Sequence, residues 1–336
     1  MIKMVHLFWL ALLVGVSFGC LRGVNGEDPE NLNDGHGDWQ ASGFAEEAGA
    51  HYGAIEFDDR SREFAIYIPQ AAVDAGPQPL LFILHGGGGN MDRMRNIGFE
   101  SLADRDGGIL VYPQGVDERW ADGRGTTEPE LEGVDDVAFI AQLVELVERN
   151  LDIDSDRIGV TGASNGGMMS FRLACELDGI LSMSAPVIAA MPSRLVDSCE
   201  PGQPPSLLGI QGTDDEFVTF EGGEVSHDRY PRLGEGGAIE SAAETMTFWA
   251  HQLGCDGSPD VEVLPPVDES DPTEVERFIY RDCQGDRALN YYVVHGMGHA
   301  WPPYEPFAPR ISGATSNQLN ATDLIWEFFR HGDGHE

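Results

Sequence analysis

The chain has 336 residues, with 57 Asp or Glu against 20 Lys or Arg, so its formal net charge at pH 7 is −37. A field of this sign repels polyanions, and we therefore expect no nucleic acid partner. We interpret the excess as a solvated acidic surface rather than a calcium site, because no EF-hand-like spacing is present. No repeat with a period of 20–50 residues occurs, which argues against a solenoid or a propeller.

The first 26 residues have the layout of a secretory signal peptide. Lys3 precedes an apolar block from Val5 to Val16, and small residues follow it. Cleavage fits after Gly26, or just before Cys20, where "SFGC" resembles the lipobox of bacterial lipoproteins. An uncleaved anchor is the alternative, although the block is shorter than the roughly 20 residues that a span needs. We expect an extracellular or periplasmic protein, attached to a membrane only if Cys20 is lipidated.

The rest of the chain divides into a tether and one domain. Residues 27–51 are acidic, rich in glycine and poor in apolar residues, which is typical of a segment that does not pack. Residues 52–332 are long for one domain, but α/β folds of this size often form a single unit.

Within this domain, strand-like and helix-like segments alternate. Apolar runs bounded by glycine predict buried strands, and segments with a 3.6-residue period predict helices. In chain order these are strands "PLLFILHG" and "GILVYPQG", helix "VDDVAFIAQLVELVERN", strand "RIGVTG", helix "GGMMSFRLACEL", strand "SLLGIQG", helix "AAETMTFWAHQLG", strand "LNYYVVHG" and helix "NATDLIWEFFRHG". The alternation predicts an α/β fold with a mostly parallel central sheet and helices on both faces. Functional residues of such sheets collect beyond the carboxyl ends of the strands.

One serine lies at such a strand end. Ser164 is the centre of G-x-S-x-G, formed by Gly162 to Gly166, between a predicted strand and a predicted helix. This is the context of a nucleophile elbow, in which a tight turn exposes the serine and the helix N-terminus faces its oxygen. The alternative is a serine that merely caps the helix. We interpret Ser164 as a nucleophile.

A second glycine-rich turn, "HGGGGN", follows the strand that ends at Leu84. Glycine lets backbone amides approach a ligand closely, so the turn is a candidate half of an oxyanion hole. We expect the hole to combine the amide of Asn165 with one amide from Gly86 to Gly88, centred on Gly87. A phosphate loop is excluded because no lysine follows the glycines. His85 is expected to brace the turn.

The remaining members of a Ser–acid–His set should follow later in the chain. His299 comes after a strand and a glycine-containing loop, whereas its competitor His295 lies at the strand end and is expected to be structural. The acid should lie in "GTDDEFV", where spacing alone leaves Asp214, Asp215 and Glu216 open.

Four cysteines remain after the predicted signal peptide. An even number in an exported chain predicts disulfides, and three pairings are possible. None of the four is part of a CxxC motif, so we expect no metal site. The residues are Cys175, Cys199, Cys255 and Cys283.

Taken together, the motifs resemble those of the poly(3-hydroxybutyrate) depolymerase-like esterases, a family that includes feruloyl and acetyl-xylan esterases. The matching motifs are "HGGGGN", "VYPQG", "RW", "VDDVAFI", "VTGASNGGMMSFRLACE", "APV", "GTDDEFV", "GHAWP" and "IWEFF". The resemblance implies an α/β-hydrolase fold and hydrolysis of carboxylic esters through an acyl-serine, with no cofactor. The family's acid motif selects Asp215, and its G-H-x-W-P motif agrees with His299. Trp120 and Trp301 match tryptophans that line the substrate entrance in relatives.

The expected substrate is a small ester, an ester oligomer or an ester linked to a polysaccharide. The sequence alone leaves hydroxyalkanoate, ferulate and acetyl-xylan open. The alternatives are a serine peptidase on the same fold and a non-catalytic surface binding protein with a degenerate hydrolase fold.

Overall fold

The structure, a computed structural model, describes residues 47–332 except 74, 227–235 and 307–308. The predicted signal peptide, Cys20 and the tether up to residue 46 lie outside the described residues. The first strand begins at Gly49. Regular structure thus starts three residues before the predicted domain boundary at Tyr52.

The described residues form a ten-stranded sheet and a small two-stranded one. The strands are β1 Gly49–Phe57, β2 Arg60–Ile68, β3 Gln78–Leu84, β4 Ile109–Pro113, β5 Ile153–Ala163, β6 Met183–Val187, β7 Ser206–Gly212, β8 Gly223–Glu224, β9 Ala238–Ile239, β10 Asp260–Val263, β11 Glu274–Tyr280 and β12 Leu289–His295. The helices are α1 Met91–Arg95, α2 Phe99–Asp106, α3 Glu128–Leu131, α4 Asp136–Asn150, α5 Asn165–Glu176, α6 Ser193–Val196, α7 Ala242–Gln252, α8 Pro309–Ser312 and α9 Ala321–His331.

The large sheet is parallel in its centre and antiparallel at both edges. Its strand order is β1-β2-β4-β3-β5-β6-β7-β12-β11-β10, and the small sheet pairs β8 with β9. The six strands from β4 to β12 are mutually parallel. β1 and β2 extend one edge in antiparallel pairing, and β11 and β10 extend the other. This is the predicted α/β-hydrolase architecture.

Alternating side chains of the central strands feed two apolar layers. On β3, Leu80 and Phe82 pack with α4, whereas Leu81 and Ile83 pack with α2 and α9. All four side chains are fully buried. Helices therefore cover both faces of the sheet, as the continuous apolar strand sequences predicted.

Every strand and helix predicted from sequence is present. Helix α9 begins after Asn320, whose side chain accepts hydrogen bonds from the amides of Thr322 and Asp323, and it ends at Gly332 with φ +84°. Strand β6 was missed because its "MSAPV" is short and contains serine and proline. Among the described residues, no helix is both long and apolar enough to cross a bilayer.

The four cysteines form two disulfides in the structure. Cys175 pairs with Cys199, which ties the C-terminal end of α5 to the segment after α6. Cys255 pairs with Cys283, which closes the excursion that contains β10 and β11. The structure thus selects one of the three pairings that the sequence left open.

Candidate active site

Ser164 lies at a strained turn between β5 and α5. Its φ of +54° and ψ of −118° are outside the regions that non-glycine residues normally occupy. Its amide donates to the carbonyl of Val187 on β6 at 2.9 Å, which holds the turn. Strain of this kind persists where surrounding structure enforces it, and it is concentrated at functional sites.

The flanking glycines are required by close packing of backbone. A Cβ atom on Gly162 would lie 2.5 Å from the carbonyl carbon of Gly166. A Cβ atom on Gly166 would collide with the carbonyl oxygens of Leu84 and His85. Any larger residue would push the elbow away from β3, so G-x-S-x-G here is a geometric requirement.

Asp215 and His299 form a part-buried pair at the ends of neighbouring strands. The Oδ2 atom of Asp215 accepts a hydrogen bond from His299 Nδ1 at 2.6 Å. The Oδ1 atom accepts from the backbone amides of Phe217 and Val218, both at 2.9 Å. The Asp215 side chain is 0% exposed and that of His299 is 15% exposed. The carboxylate is therefore fixed by three hydrogen bonds, and it holds the histidine with its proton on Nδ1.

The competing acids and the competing histidine lie elsewhere. Asp214 is exposed and accepts a hydrogen bond from the Thr213 hydroxyl. Glu216 is also exposed. His295 Nε2 lies 3.1 Å from a carboxylate oxygen of Glu276 on the neighbouring strand β11, which agrees with the predicted structural role.

The three candidate residues follow parallel strands at one edge of the sheet. Ser164 follows β5, Asp215 follows β7 and His299 follows β12. β7 and β12 are adjacent, and only β6 separates β5 from β7. The loops are interlocked as well, because the amide of Asp214 donates to the carbonyl of Met297 at 3.0 Å. The fold thus gathers the predicted residues at the carboxyl ends of the strands.

The glycine-rich turn after β3 packs against the elbow. A Cβ atom on Gly86 would lie 3.2 Å from the carbonyl oxygen of Ala163. The amide of Gly88 donates to Glu118 and that of Gly89 to Gly86, so both are already engaged. Gly87, which is exposed and lies at the centre of the turn, is the candidate donor. Asn165 is the first residue of α5, the other candidate donor.

His85 braces this turn as predicted. The amide of Gly115 donates to His85 Nε2 at 2.9 Å, so Nε2 is an acceptor and the proton is on Nδ1, which donates to the carbonyl of Gly86. Burial lowers the pKa of His85 to about 4. His85 is therefore a neutral support for the loop at physiological pH.

The structure buries both tryptophans that were predicted to line the substrate entrance. Trp120 is 0% exposed and its indole N–H donates to the carbonyl of His85, so the prediction that it lines the entrance is wrong. Trp301 is 7% exposed, donates to Thr322 Oγ1 and packs edge-on against Phe99. The indole N–H of each tryptophan is hydrogen-bonded inside the protein, because a buried N–H requires a partner.

An aromatic residue that the sequence analysis did not single out contacts the histidine. The ring centroid of Phe217 lies 5.2 Å from that of His299. Phe217 directly follows the "DDE" run, where the family's acid motif is followed by an apolar pair. That position was the available signal for this residue.

Known proteins that are similar in sequence to this chain include esterases. No family model matches the chain. It is 29% identical over 278 residues to a protein named "Putative esterase NocK" from Nocardia uniformis, covering 81% of this chain and 80% of that protein. It is also 29% identical over 223 residues to feruloyl esterase C of Emericella nidulans, covering 59% of this chain and 77% of the relative.

Among solved structures, an acetyl xylan esterase from Aspergillus awamori has the same fold. The TM-score is 0.56 at 18% identity, and the match covers 83% of this chain and 99% of that one.

Proposed function

We propose that the chain, a carboxylic ester hydrolase that is similar to feruloyl esterases and has an α/β-hydrolase fold, acts through an acyl-serine intermediate on Ser164. The observation that carries the proposal is the part-buried Asp215–His299 hydrogen bond at the carboxyl edge of the sheet that also bears the strained Ser164. This combination provides a base with a fixed tautomer and a half-buried serine that can act as the nucleophile.

In the first half of the reaction, His299 Nε2 takes the proton of Ser164 as its Oγ attacks the ester carbonyl. The backbone amides of Gly87 and Asn165 donate to the oxyanion of the tetrahedral intermediate. The C–O bond to the alcohol breaks, and His299 gives its proton to the departing alkoxide. Asp215 remains ionised throughout and stabilises the imidazolium.

In the second half, His299 removes a proton from water as the water oxygen attacks the acyl-serine carbonyl. The same amides hold the second oxyanion. The bond to Ser164 then breaks, the serine regains its proton from His299, and the acid product leaves. The reaction consumes one water and needs no group outside the chain.

We propose that the substrate is an aromatic or acetyl ester linked to a polysaccharide, since one relative is named as a feruloyl esterase and the structural neighbour as an acetyl xylan esterase. Hydroxybutyrate oligomers are the alternative, from the motif resemblance. We further propose an exported protein, because two disulfides form and persist in oxidising compartments.

Two measurements test this proposal together. Rates on methyl ferulate, acetylated xylan and hydroxybutyrate oligomers establish the substrate class, and the Ser164→Ala variant establishes the nucleophile. We expect Ser164→Ala to lose ester turnover by several orders of magnitude while it unfolds at the same temperature as the wild type. Turnover that survives the substitution would refute the mechanism, and cleavage of a peptide substrate at a higher rate would favour a peptidase.

A further inference from the structure

A short segment, Trp120 to Asp122, holds the side chain of Asn165, the residue after the candidate nucleophile. The Trp120 amide donates to Asn165 Oδ1 at 2.8 Å, and Asn165 Nδ2 donates to the Trp120 carbonyl at 3.1 Å. Asn165 Nδ2 also donates to Asp122 Oδ2 at 2.6 Å. Asn165 is 3% exposed. Its side chain is thus fully engaged with this one segment, and its backbone amide is the proposed oxyanion donor.

The same segment also holds the glycine-rich turn. The indole N–H of Trp120 donates to the carbonyl of His85 at 2.8 Å. The His85 carbonyl belongs to the peptide that leads into Gly86, one residue before the other proposed donor at Gly87. Trp120 to Asp122 therefore connects both halves of the proposed oxyanion hole through hydrogen bonds from a single stretch of three residues.

Two buried ion pairs anchor this segment. Asp122 is 0% exposed and forms an ion pair with Arg124, which is 2% exposed, at 2.8 Å. Asp136, also 0% exposed, pairs with Arg62 at 2.6 Å and accepts a hydrogen bond from the Ala121 amide at 2.7 Å. Desolvation of two charges offsets much of the attraction between them, so buried pairs are poor sources of stability. Their convergence on three consecutive residues points to positioning.

The geometry points to Trp120 to Asp122 as a positioning segment, here called the oxyanion clamp, which fixes the Asn165 amide and the glycine-rich turn relative to each other. Asp122 is its positioning residue on the Asn165 side and the Trp120 indole on the other. This inference rests on the proposed function. Oxyanion donors act only within about 2.7–3.1 Å of the oxyanion, and a misplacement of about 1 Å can lower the rate about 100-fold.

The first test replaces Trp120 by Phe, with Trp326→Phe as the matched control. Both indoles are fully buried and both donate to an oxygen, but Trp326 donates to Asp106 between α9 and α2, away from the elbow. We expect Trp120→Phe to lower kcat about tenfold or more, with KM within about twofold of the wild type. Trp326→Phe should reduce the thermal unfolding temperature comparably and leave kcat unchanged. Equal kcat values for the two variants would overturn the inference.

The second test is a double-mutant cycle between the clamp and Asn165. Asp122→Asn is combined with Arg124→Gln so that no buried guanidinium is left unpaired. In the wild-type background, the Asp122→Asn/Arg124→Gln substitutions should lower kcat about tenfold. In an Asn165→Ala background they should have no further effect, because Asn165→Ala keeps the backbone donor but removes the side chain that bonds to the clamp. If the reductions in kcat caused by the clamp substitutions and by Asn165→Ala multiply, the clamp does not act through Asn165.

A transition-state analogue separates positioning from general loosening. Binding of a trifluoromethyl ketone requires the oxyanion hole, so its inhibition constant should rise by the same factor as kcat/KM falls in the clamp variants. An unchanged inhibition constant contradicts the inference. If Asp122→Asn/Arg124→Gln does not fold, the Trp120→Phe comparison decides alone. If the wild-type protein is active through Ser164 and the clamp variants have the same kcat as the Trp326→Phe control, the clamp is refuted and the proposed function stands.

Discussion

Replacing Asp215 by Asn should reverse the tautomer of His299. Asp215 Oδ1 accepts from two backbone amides and Oδ2 from His299 Nδ1. In the Asn variant only the amide oxygen can accept from Phe217 and Val218, so the NH₂ group faces His299. An NH₂ group donates, and Nδ1 must then become an acceptor with the proton moved to Nε2. A protonated Nε2 cannot take the proton of Ser164.

The size of the effect follows from the cost of the alternative orientation. Turning the Asn side chain over would leave two buried amides facing a donor, at about 1–3 kcal/mol each. The total of about 2–6 kcal/mol suppresses the competent tautomer by between about 30-fold and 10⁴-fold, since about 1.4 kcal/mol is a factor of ten. Loss of the charge that stabilises imidazolium adds to this. We therefore expect kcat to fall about 10³- to 10⁴-fold, as in other Ser–His–Asp sites.

The assay is steady-state hydrolysis of p-nitrophenyl acetate, with Asp214→Asn as the control. Asp214 is adjacent in sequence, carries the same charge and is exposed, so its substitution should leave kcat unchanged. KM should change little in Asp215→Asn. A kcat within tenfold of the wild type, or an equal loss in Asp214→Asn, would show that the tautomer argument is wrong.

Three further predictions concern stability and selectivity. Burial lowers the pKa of His85 from 6.5 to about 4, so its stabilising contribution is complete above pH 6.5 and is lost as the pH falls towards 4, by up to about 3 kcal/mol. In urea unfolding, the free energy of unfolding of His85→Gln should therefore fall less steeply than that of the wild type as the pH is lowered over this range. Identical slopes for the two proteins would contradict the lowered pKa of His85. Removal of the 24-residue link by Cys175→Ala/Cys199→Ala should lower the unfolding free energy by about 3 kcal/mol and leave kcat within a few-fold, whereas an unchanged unfolding midpoint would contradict it. Because the protein has a net charge of −37, it repels anionic substrates, and salt screens this repulsion. The kcat/KM for an anionic hydroxybutyrate dimer should therefore rise with NaCl concentration, while that for neutral methyl ferulate stays constant. Equal salt dependence for the two substrates would exclude electrostatic repulsion.

The central architecture could be predicted because its signals are local. A parallel strand buried on both faces requires a continuous apolar run, and "PLLFILHG" and "LNYYVVHG" have no other simple interpretation. Helix α9 has both boundary signals: Asn320 marks its start and Gly332 marks its end. The edge strand β10 was not predicted, because its sequence "DVEV" is exposed throughout and lacks an apolar run.

The site was predicted in part, and its limits have physical causes. Ser164 stands out because a nucleophile elbow demands glycines at fixed offsets. The acid could not be chosen among Asp214, Asp215 and Glu216 by spacing, because burial in the folded loop distinguishes them and the motif resemblance supplied the choice. The structure buries Asp215 alone of the three.

The positions of the tryptophans could not be predicted from local sequence. Trp120 was placed at the entrance by resemblance, but its burial depends on contacts with His85 and Asn165, which are 35 and 45 residues distant. No local pattern encodes such contacts. The buried partnership of Asp122 with Arg124 is likewise invisible in a chain where exposed acidic residues are the rule.

The most direct test is to locate the covalent adduct that a fluorophosphonate probe forms. We predict that the wild-type protein gains one adduct, that peptide mass spectrometry places it on Ser164, and that Asp215→Asn reacts far more slowly. Labelling at another residue, or a wild-type protein that is inert to the probe, would contradict activation of Ser164 by His299 and Asp215.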